Sequence, residues 1–266
     1  MQFSKRILGR TGLQVGPLGV SSSYGADARA FEEAFERGCN YFYWGSRRTA
    51  EMARAIKNIS GAGKRDDLVI VVQSYSRSAF LMERFFAKAL GSLDLDSIDI
   101  LLLGWHNKPP ARRLIDKAIE MKEKGLCRFL ALSGHKRPLF PVLAEQGLFD
   151  VFHVRYNAAH RGAESEVFPY LKFEGRQGIV TYTATRWGNL LNPRKMPPGE
   201  SVPSASDCYR FALSNPSVDV CLCGPKDLNQ MREALRTLDR GPLNRQEMDW
   251  MGRVGEHVRL HSRKFF

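Results

Sequence analysis

The sequence predicts an α/β protein, a (β/α)8 TIM barrel with an N-terminal β-hairpin and a C-terminal extra helix. Three observations support this fold class. A length of 266 residues suits one barrel domain spanning residues 1–266. Strand-like and helical segments alternate eight times, which favours a parallel sheet, and eight units at this length favour closure into a barrel. The apolar strands also contain continuous β-branched runs, which are typical of strands buried on both faces.

The first half of the chain holds the hairpin and four strand–helix units. QFSKRILGRTGLQVG alternates around Gly-Arg-Thr-Gly, which predicts a short hairpin. The first helix should begin at Asp27 as its N-cap and stop at Gly38. The four units are LGVSS with DARAFEEAFERG, NYFYW with TAEMARAIKNI, LVIVVQS with AFLMERFFAKALGSL, and IDILLLG with ARRLIDKAIEMKEKG.

The second half continues the same alternation. Its predicted strands are FLALSG, VFHVRYN, GIVTYTA and VDVCLCG, and its predicted helices are LFPVLAEQG, a weaker ESEVFPYLKF, and DLNQMREALRTL. Residues 187–203 are rich in proline and glycine and predict a long loop after the seventh strand, a length typical of functional lids. The last segment, RQEMDWMGRVGEHV, predicts an extra helix outside the barrel.

Composition restricts the class of partner. The net charge of +12 favours an anionic ligand, such as a phosphorylated cofactor or an acidic metabolite. The basic residues are scattered in pairs rather than gathered on one helix, so we do not expect nucleic-acid binding. No apolar run reaches the roughly 18 residues of a membrane helix, and the first residues lack a secretory apolar region. We therefore expect a cytoplasmic protein that does not bind membranes.

The five cysteines fit no common disulfide or zinc spacing. They are Cys39, Cys127, Cys208, Cys221 and Cys223. We expect reduced, mostly buried thiols and no metal site. Cys221 and Cys223 share one face of the predicted eighth strand because side chains alternate along a strand.

Barrels of this class build their active sites at the carboxyl ends of the strands. The stretch GCNYFYWGSRR, residues 38–48, ends the second strand and carries three aromatic rings followed by two arginines. Polar and aromatic residues also end the other strands. The candidates are Ser22, Ser23, Tyr24, Tyr43, Trp44, Gln73, Ser74, Tyr75, Gly104, Trp105, His106, Ser133, Gly134, His135, Tyr156, Asn157, Thr183, Arg186, Trp187, Gly224 and Lys226.

Four segments in register, LGRTGLQVGPLG, RGCNYF, SIDILLL and CGPKDLNQMREAL, resemble the aldo/keto reductases across nearly the whole chain. The resemblance implies a barrel that binds extended NADPH and transfers hydride to an aldehyde or ketone. It also implies a tyrosine that protonates the carbonyl oxygen, helped by lysine, aspartate and histidine. A cation is needed there because a tyrosine of pKa about 10 is a poor acid at neutral pH.

The positions of that catalytic tetrad depart from the family pattern. The resemblance aligns Tyr43 with the aspartate, Arg48 with the tyrosine, Gln73 with the lysine and Gly104 with the histidine. Two interpretations of Tyr43 stay open: a substitute acid whose pKa Arg48 lowers, or an aromatic that packs the barrel mouth. Gln73 cannot carry charge and is either a site residue or a hydrogen-bonding plug. His106, two residues past Gly104, is either a general acid or carbonyl-polarising donor, or a loop histidine, and the same alternatives apply to His135.

The cofactor side of the resemblance is better preserved. Ser133 and Gly134 align with the Ser-Asn pair that holds the nicotinamide amide, His153 aligns with the glutamine of the same grip, and Tyr182 aligns with the aromatic that stacks on the nicotinamide. The turn after strand eight aligns with the phosphate-binding turn, and a helix N-terminus there favours phosphate. It supplies Gly224, Lys226, Gln230 and Glu233, with Ala234 replacing an asparagine. Arg186 and Trp187 either clamp the pyrophosphate or adenine, or anchor their loop.

Two function classes follow. The first is an NADP(H)-linked oxidoreductase acting on a small carbonyl compound. The second is a non-catalytic barrel, a pseudoenzyme that binds a nucleotide or small anion as a sensor or interaction protein.

Overall fold

Eight parallel strands close into a barrel in the computed structural model, which describes residues 2–45, 47–171 and 173–261. The hairpin strands are β1 (Arg6–Ile7) and β2 (Gln14–Val15). The barrel strands are β3 (Leu18–Ser21), β4 (Tyr41–Trp44), β5 (Val69–Ser74), β6 (Ile98–Leu103), β7 (Cys127–Gly134), β8 (Val151–Arg155), β9 (Gly178–Tyr182) and β10 (Val220–Cys223). Each strand pairs with its sequence neighbours, and β10 pairs with β3 to close the ring. The predicted barrel and hairpin are confirmed.

The helices follow the predicted order on the outside of the barrel. They are α1 (Ala28–Glu36), α2 (Ala50–Gly61), α3 (Ala79–Leu93), α4 (Arg112–Glu123), α5 (Leu139–Glu145), α6 (Ala163–Glu166), α7 (Ala205–Leu213), α8 (Leu228–Arg240) and α9 (Arg245–His261). Asp27 caps α1 as predicted, accepting a 2.9 Å hydrogen bond from the Ala30 amide. Gly38 follows the helix with a φ of 88°, a left-handed conformation that glycine tolerates.

Two segments differ from the prediction. The sixth helix is only one turn long, and a 3₁₀ turn (Phe168–Leu171) follows it. Pro169 explains the interruption because it lacks a backbone N–H and disfavours helical backbone in the residue before it. Helix α7 was not predicted; it begins with a capping box between Ser204 and Asp207.

The hairpin seals the amino-terminal end of the barrel. Leu8 and Val15 are fully buried against the apolar side chains that fill the barrel interior. A Cβ on Gly9 would lie 2.1 Å from the Gly178 nitrogen, so glycine allows the hairpin to approach β9. This end is therefore packed shut, which leaves the carboxyl ends of the strands as the open face.

Buried aspartates fasten the strands at the sealed end. Asp219 accepts a 2.8 Å hydrogen bond from the Ile179 amide and a two-point contact from the Arg176 guanidinium at 2.7 and 2.9 Å. Asp99 and Asp150 repeat the arrangement, each bonding an amide of the neighbouring strand and a basic side chain. The ion pairs and hydrogen bonds of these carboxylates offset the large desolvation penalty of burying them.

The last helix lies outside the barrel, as predicted, and packs against the long loop. Two 3₁₀ turns, Asn189–Leu191 and Pro193–Lys195, interrupt the loop, and both contact α9. A Cβ on Gly255 would lie 2.1 Å from the Ala158 carbonyl oxygen, so α9 lies directly on the loop after β8. Within the described ranges, no helix is long and apolar enough to cross a bilayer.

All five cysteines are free and buried. Cys221 and Cys223 both face the layer between barrel and helices, as the strand alternation predicts. Burial raises the pKa of the Cys221 thiol to about 12 and that of Cys223 well above its usual value. Both are therefore inert packing groups at neutral pH.

Candidate functional site

A cleft of about 860 Å³ opens at the carboxyl ends of the barrel strands. It brings together most of the residues that the sequence analysis selected from separate strands. From the predicted catalytic set it contains Tyr43 and Gln73, and from the predicted cofactor set it contains Ser133, His153, Tyr182, Gly224, Lys226, Gln230 and Glu233. The positions aligned with the nicotinamide grip and those aligned with the phosphate turn therefore line one continuous space.

The floor of the cleft is aromatic. Tyr41 fills the barrel interior beneath it, and its phenol lies 2.8 Å from Nε2 of His153. Burial lowers the pKa of His153 to about 3, so the imidazole is neutral at physiological pH. The Tyr43 ring lies above, with its centroid 5.9 Å from that of His153. One ring nitrogen of His153 is thus occupied by the hydrogen bond with Tyr41, and the other ring nitrogen is left for a ligand.

The electrostatics around Tyr43 contradict the idea that Arg48 activates it. Burial raises the pKa of the Tyr43 phenol well above its usual value, and neighbouring Tyr75 raises it further by charge and by a hydrogen bond. Arg48 does not line the cleft; its guanidinium donates a 2.9 Å hydrogen bond to the Tyr24 carbonyl at the exposed rim. Its φ of 51° turns the backbone away from the strand direction. Tyr43 therefore stays protonated and can donate a hydrogen bond, and no arginine among the described residues lowers its pKa.

Gln73 occupies space that a side chain at position 104 would need. A Cβ on Gly104 would lie 2.1 Å from the Gln73 side-chain nitrogen and 2.9 Å from the Tyr75 ring. The Oε1 atom of Gln73 is buried and has no hydrogen-bond partner in the described part of the chain. Gln73 and Gly104 are thus sterically matched, and the amide lies beside the cleft with one acceptor unused.

His106, a predicted catalytic residue, lies outside the cleft, so the structure does not bring it together with Tyr43 and Gln73. The side chain is 5% exposed, and its Nε2 accepts a 3.1 Å hydrogen bond from the Arg77 guanidinium. Burial, aided by that guanidinium, lowers the His106 pKa to about 4. His135 lines the cleft instead, with its ring 5.5 Å from Trp105 and 6.2 Å from Tyr182.

The wall formed by β7 and β9 is held in place by hydrogen bonds to the backbone. Ser133 Oγ accepts a 2.9 Å bond from the Trp105 amide, which leaves its hydroxyl hydrogen free to donate to a ligand. The Tyr182 phenol donates to the Gly134 carbonyl at 3.1 Å, which fixes the ring against the cleft. A fixed aromatic beside a hydroxyl donor can hold a planar amide-bearing ring.

The far end of the cleft lies at the N-terminus of α8. Asp227 caps the helix by accepting a 2.8 Å bond from the Gln230 amide, and the Gln230 side chain accepts a 3.1 Å bond from the Lys226 amide. These two N–H groups are therefore already satisfied, and a carboxylate lies at the cap. A phosphate here would depend on the Lys226 ammonium, which is exposed and forms no ion pair within the described residues. Gly224 admits the Tyr24 ring, since a Cβ there would lie 2.5 Å from it.

Arg186, a predicted cofactor-binding residue, is not brought into the cleft and instead anchors its loop to α9. It is 4% exposed, does not line the cleft, and donates to the Val258 carbonyl in α9. Trp187, which does line the cleft, follows it. Thr183, Arg186 and Trp187 all have φ between 51° and 63°, and such outliers concentrate at functional sites because they cost energy.

Comparison with known proteins supports the fold. Neither a protein-family model nor a curated protein matches the chain. Among solved structures, the holo form of an aldo-keto reductase from Bacillus halodurans aligns over 95% of this chain and 96% of that chain, with a TM-score of 0.78 and 18% identity. The chain has the aldo/keto reductase fold. An aldo/keto reductase from Klebsiella pneumoniae, in complex with NADP and acetate, aligns over the same shares with a TM-score of 0.77 and 17% identity.

The apo form of the Bacillus halodurans aldo-keto reductase is equally well covered, with a TM-score of 0.75 and 21% identity. At these identities the likeness shows the aldo/keto reductase fold alone. The chemistry that this protein can support depends on its own side chains. Of the four tetrad positions that the sequence resemblance assigns, only Tyr43 and Gln73 line the cleft.

Sequence reasoning missed the part of the cleft that α7 supplies. Ser204, Ala205 and Tyr209 line its far side, close to the turn before α8. The available signal was the S-x-x-D pattern of the capping box, in which Ser204 and Asp207 each bond the other's backbone amide.

Proposed function

We propose that this protein binds NADP(H) in the cleft and reduces a small carbonyl compound, with Tyr43 as the hydrogen-bond donor to the carbonyl oxygen. One observation carries the proposal. A single cleft is lined at one end by Ser133, His153 and Tyr182 and at the other by Gly224 and Lys226. An extended dinucleotide needs both ends in one space.

The residues present fit such a cofactor. A volume of about 860 Å³ lies within the range of about 300–1,000 Å³ that is usual for ligand sites. The Lys226 ammonium and the net charge of +12 favour a polyanion. The Klebsiella pneumoniae neighbour, of similar fold, is in complex with NADP, which supports the same choice of cofactor here.

The chain's own groups define what the site does for the reaction. When bound, NADPH supplies a hydride to the carbonyl carbon. Tyr182 provides the flat wall against which its ring would stack, and Ser133 Oγ donates to an amide oxygen. Tyr43 donates its phenolic hydrogen to the carbonyl oxygen, which stabilises the negative charge that develops there.

Proton delivery sets the expected rate. The pKa of Tyr43 is raised by burial and by Tyr75, so its proton is held more tightly than in free tyrosine. Gln73 is neutral and cannot offset this. We therefore expect slow reduction, favouring strongly electrophilic carbonyls whose reduction depends less on the acid.

The same observation supports a second candidate, a barrel that binds NADP(H) without turning it over. Arg48 bonds the Tyr24 carbonyl instead of Tyr43, and no cation among the described residues is placed to lower the Tyr43 pKa. In this case the protein would report the nucleotide to a partner through the mouth of the cleft.

Fluorescence titration with NADPH tests the binding step. Wild type should show saturable quenching or energy transfer from Trp105 and Trp187, which line the cleft. Lys226→Glu should weaken binding at least about tenfold because it replaces an attractive charge by a repulsive one. Lys108→Glu, an exposed lysine outside the cleft, is the matched control. An absence of binding at high micromolar NADPH, or equal losses in both variants, would refute this nucleotide site.

Turnover then separates the two candidates. NADPH oxidation is followed with a panel of aldehydes and activated ketones for wild type and Tyr43→Phe. If the proposal holds, wild type turns over and Tyr43→Phe is at least about 100-fold slower. Equal rates in the two would remove Tyr43 from the mechanism. Binding without any turnover would leave the non-catalytic function.

A further inference from the structure

A second cavity of about 890 Å³ lies beside the ends of β4 and β5, along α3. Among the described residues it shares only Gln73 and Tyr75 with the cleft, so a ledge formed by these two residues separates the two spaces. None of the residues assigned to cofactor binding lines it. Its contents would therefore be independent of the nucleotide.

One wall of this cavity is apolar and partly open to solvent. Leu81 and Phe85 on α3 are 39% and 55% exposed, and Phe86 and Val72 are buried behind them. Large apolar side chains around a concave surface are typical of ligand sites. The wall therefore fits the apolar body of a ligand.

The charge on the lining has one sign. Lys88 and Arg113 lie at the exposed rim. Arg77 also lines the cavity, and its guanidinium donates to the carbonyls of Gly104 and Trp105. No aspartate or glutamate is among the described residues that line the cavity. The cavity therefore favours an anion.

We propose that this cavity is a second ligand site, which binds an organic acid with an apolar acyl or aryl body. The apolar body packs on Leu81 and Phe85, and the acid group pairs with Lys88 and Arg113. The site adjoins the cleft through Gln73 but does not depend on the reaction proposed there.

Titration with 8-anilinonaphthalene-1-sulfonate, an aromatic anion that fluoresces in apolar surroundings, tests the site, with decanoate as unlabelled competitor. We expect saturable binding of the probe, displacement by decanoate, and no displacement by NADPH. Lys226→Glu, which changes only the cleft, should leave probe binding unchanged. Displacement by NADPH, or loss in Lys226→Glu, would place the probe in the cleft and overturn the proposal.

Paired variants on α3 locate the probe. Phe85→Asp should weaken binding at least about tenfold, because apolar contact is lost and an anion is introduced. Phe80→Asp, at an even more exposed phenylalanine outside the cavity, should not. Lys88→Glu should likewise weaken binding, whereas Arg84→Glu, on the same helix but outside the lining, should not. Equal effects within either pair would overturn the site.

Unchanged far-ultraviolet circular dichroism shows that each variant is folded. A dimer of wild type that Phe85→Asp dissociates, with no decanoate binding, would assign the surface to a second copy and overturn the proposal.

Discussion

The steric match between Gly104 and Gln73 predicts a strong coupling between these positions. In Gly104→Ala, the new Cβ would lie 2.1 Å from the Gln73 side-chain nitrogen, whereas ordinary contact begins at 3.4 Å. The amide must therefore move by at least about 1 Å, out of its place beside the cleft. Overpacking of this kind costs about 1–3 kcal/mol, and we expect the lower half because the end of a flexible side chain moves.

Urea denaturation of four proteins measures this coupling: wild type, Gly104→Ala, Gln73→Ala and the double variant. Once Gln73 is truncated, the added methyl group meets only the half-exposed Tyr75 ring, and its cost should fall to about 0.5 kcal/mol or less. The expected interaction free energy is about 1 kcal/mol, typical of residues in contact. Equal costs of Gly104→Ala in both backgrounds would refute the reasoning.

Three further predictions concern stability. The pKa of His153 is lowered from 6.5 to about 3, so its stabilising contribution is complete above pH 6.5 and is lost as the pH falls towards 3. Between pH 6.5 and 4, the free energy of unfolding in urea should fall by about 3 kcal/mol more for wild type than for His153→Gln. Parallel losses in the two proteins would contradict this. Asp219→Ala should destabilise by about 3 kcal/mol in thermal unfolding, whereas Asp239→Ala, whose carboxylate is 59% exposed, should change stability by no more than about 0.5 kcal/mol. Arg186→Met should lower stability by about 1–3 kcal/mol and leave NADPH affinity unchanged, and a selective loss of affinity would restore Arg186 as a clamp.

The strands and most helices were predictable because their burial leaves a regular pattern in the sequence. A strand buried on both faces is a continuous apolar run, and a helix buried on one face has an apolar stripe. Helix α1 shows both a polar and an apolar face, with its cap at Asp27. Helix α7 does not: every residue from Ser206 to Leu213 is buried, polar ones included. Without a solvent-facing side there is no apolar stripe to recognise, so periodicity could not find this helix.

The site was predictable as far as the strands run. Tyr43 and Gln73 point into the barrel mouth because each lies at the end of a strand whose side chains alternate between the two faces, and the strand ends were predictable. The predicted site residues that the structure does not bring into the cleft lie just beyond strand ends. Arg48 and Arg186 both have φ of 51°, and His106 follows Trp105, whose φ is 54°. A left-handed residue that is not glycine gives no sequence signal, and it redirects the side chains around it.

The changes at the reacting end form a connected set rather than independent losses. The amide of Gln73 fits only because position 104 has no side chain. A neutral residue at 73 leaves Tyr43 without a cation, and burial then raises its pKa. Tyr43 moreover lies on the strand, at the position that the resemblance assigns to the aspartate, so its phenol approaches from the floor of the cleft. Restoring charge at position 73 alone would thus not rebuild the usual arrangement, whereas Gly224 and Lys226, proposed to hold the nucleotide, share none of these contacts.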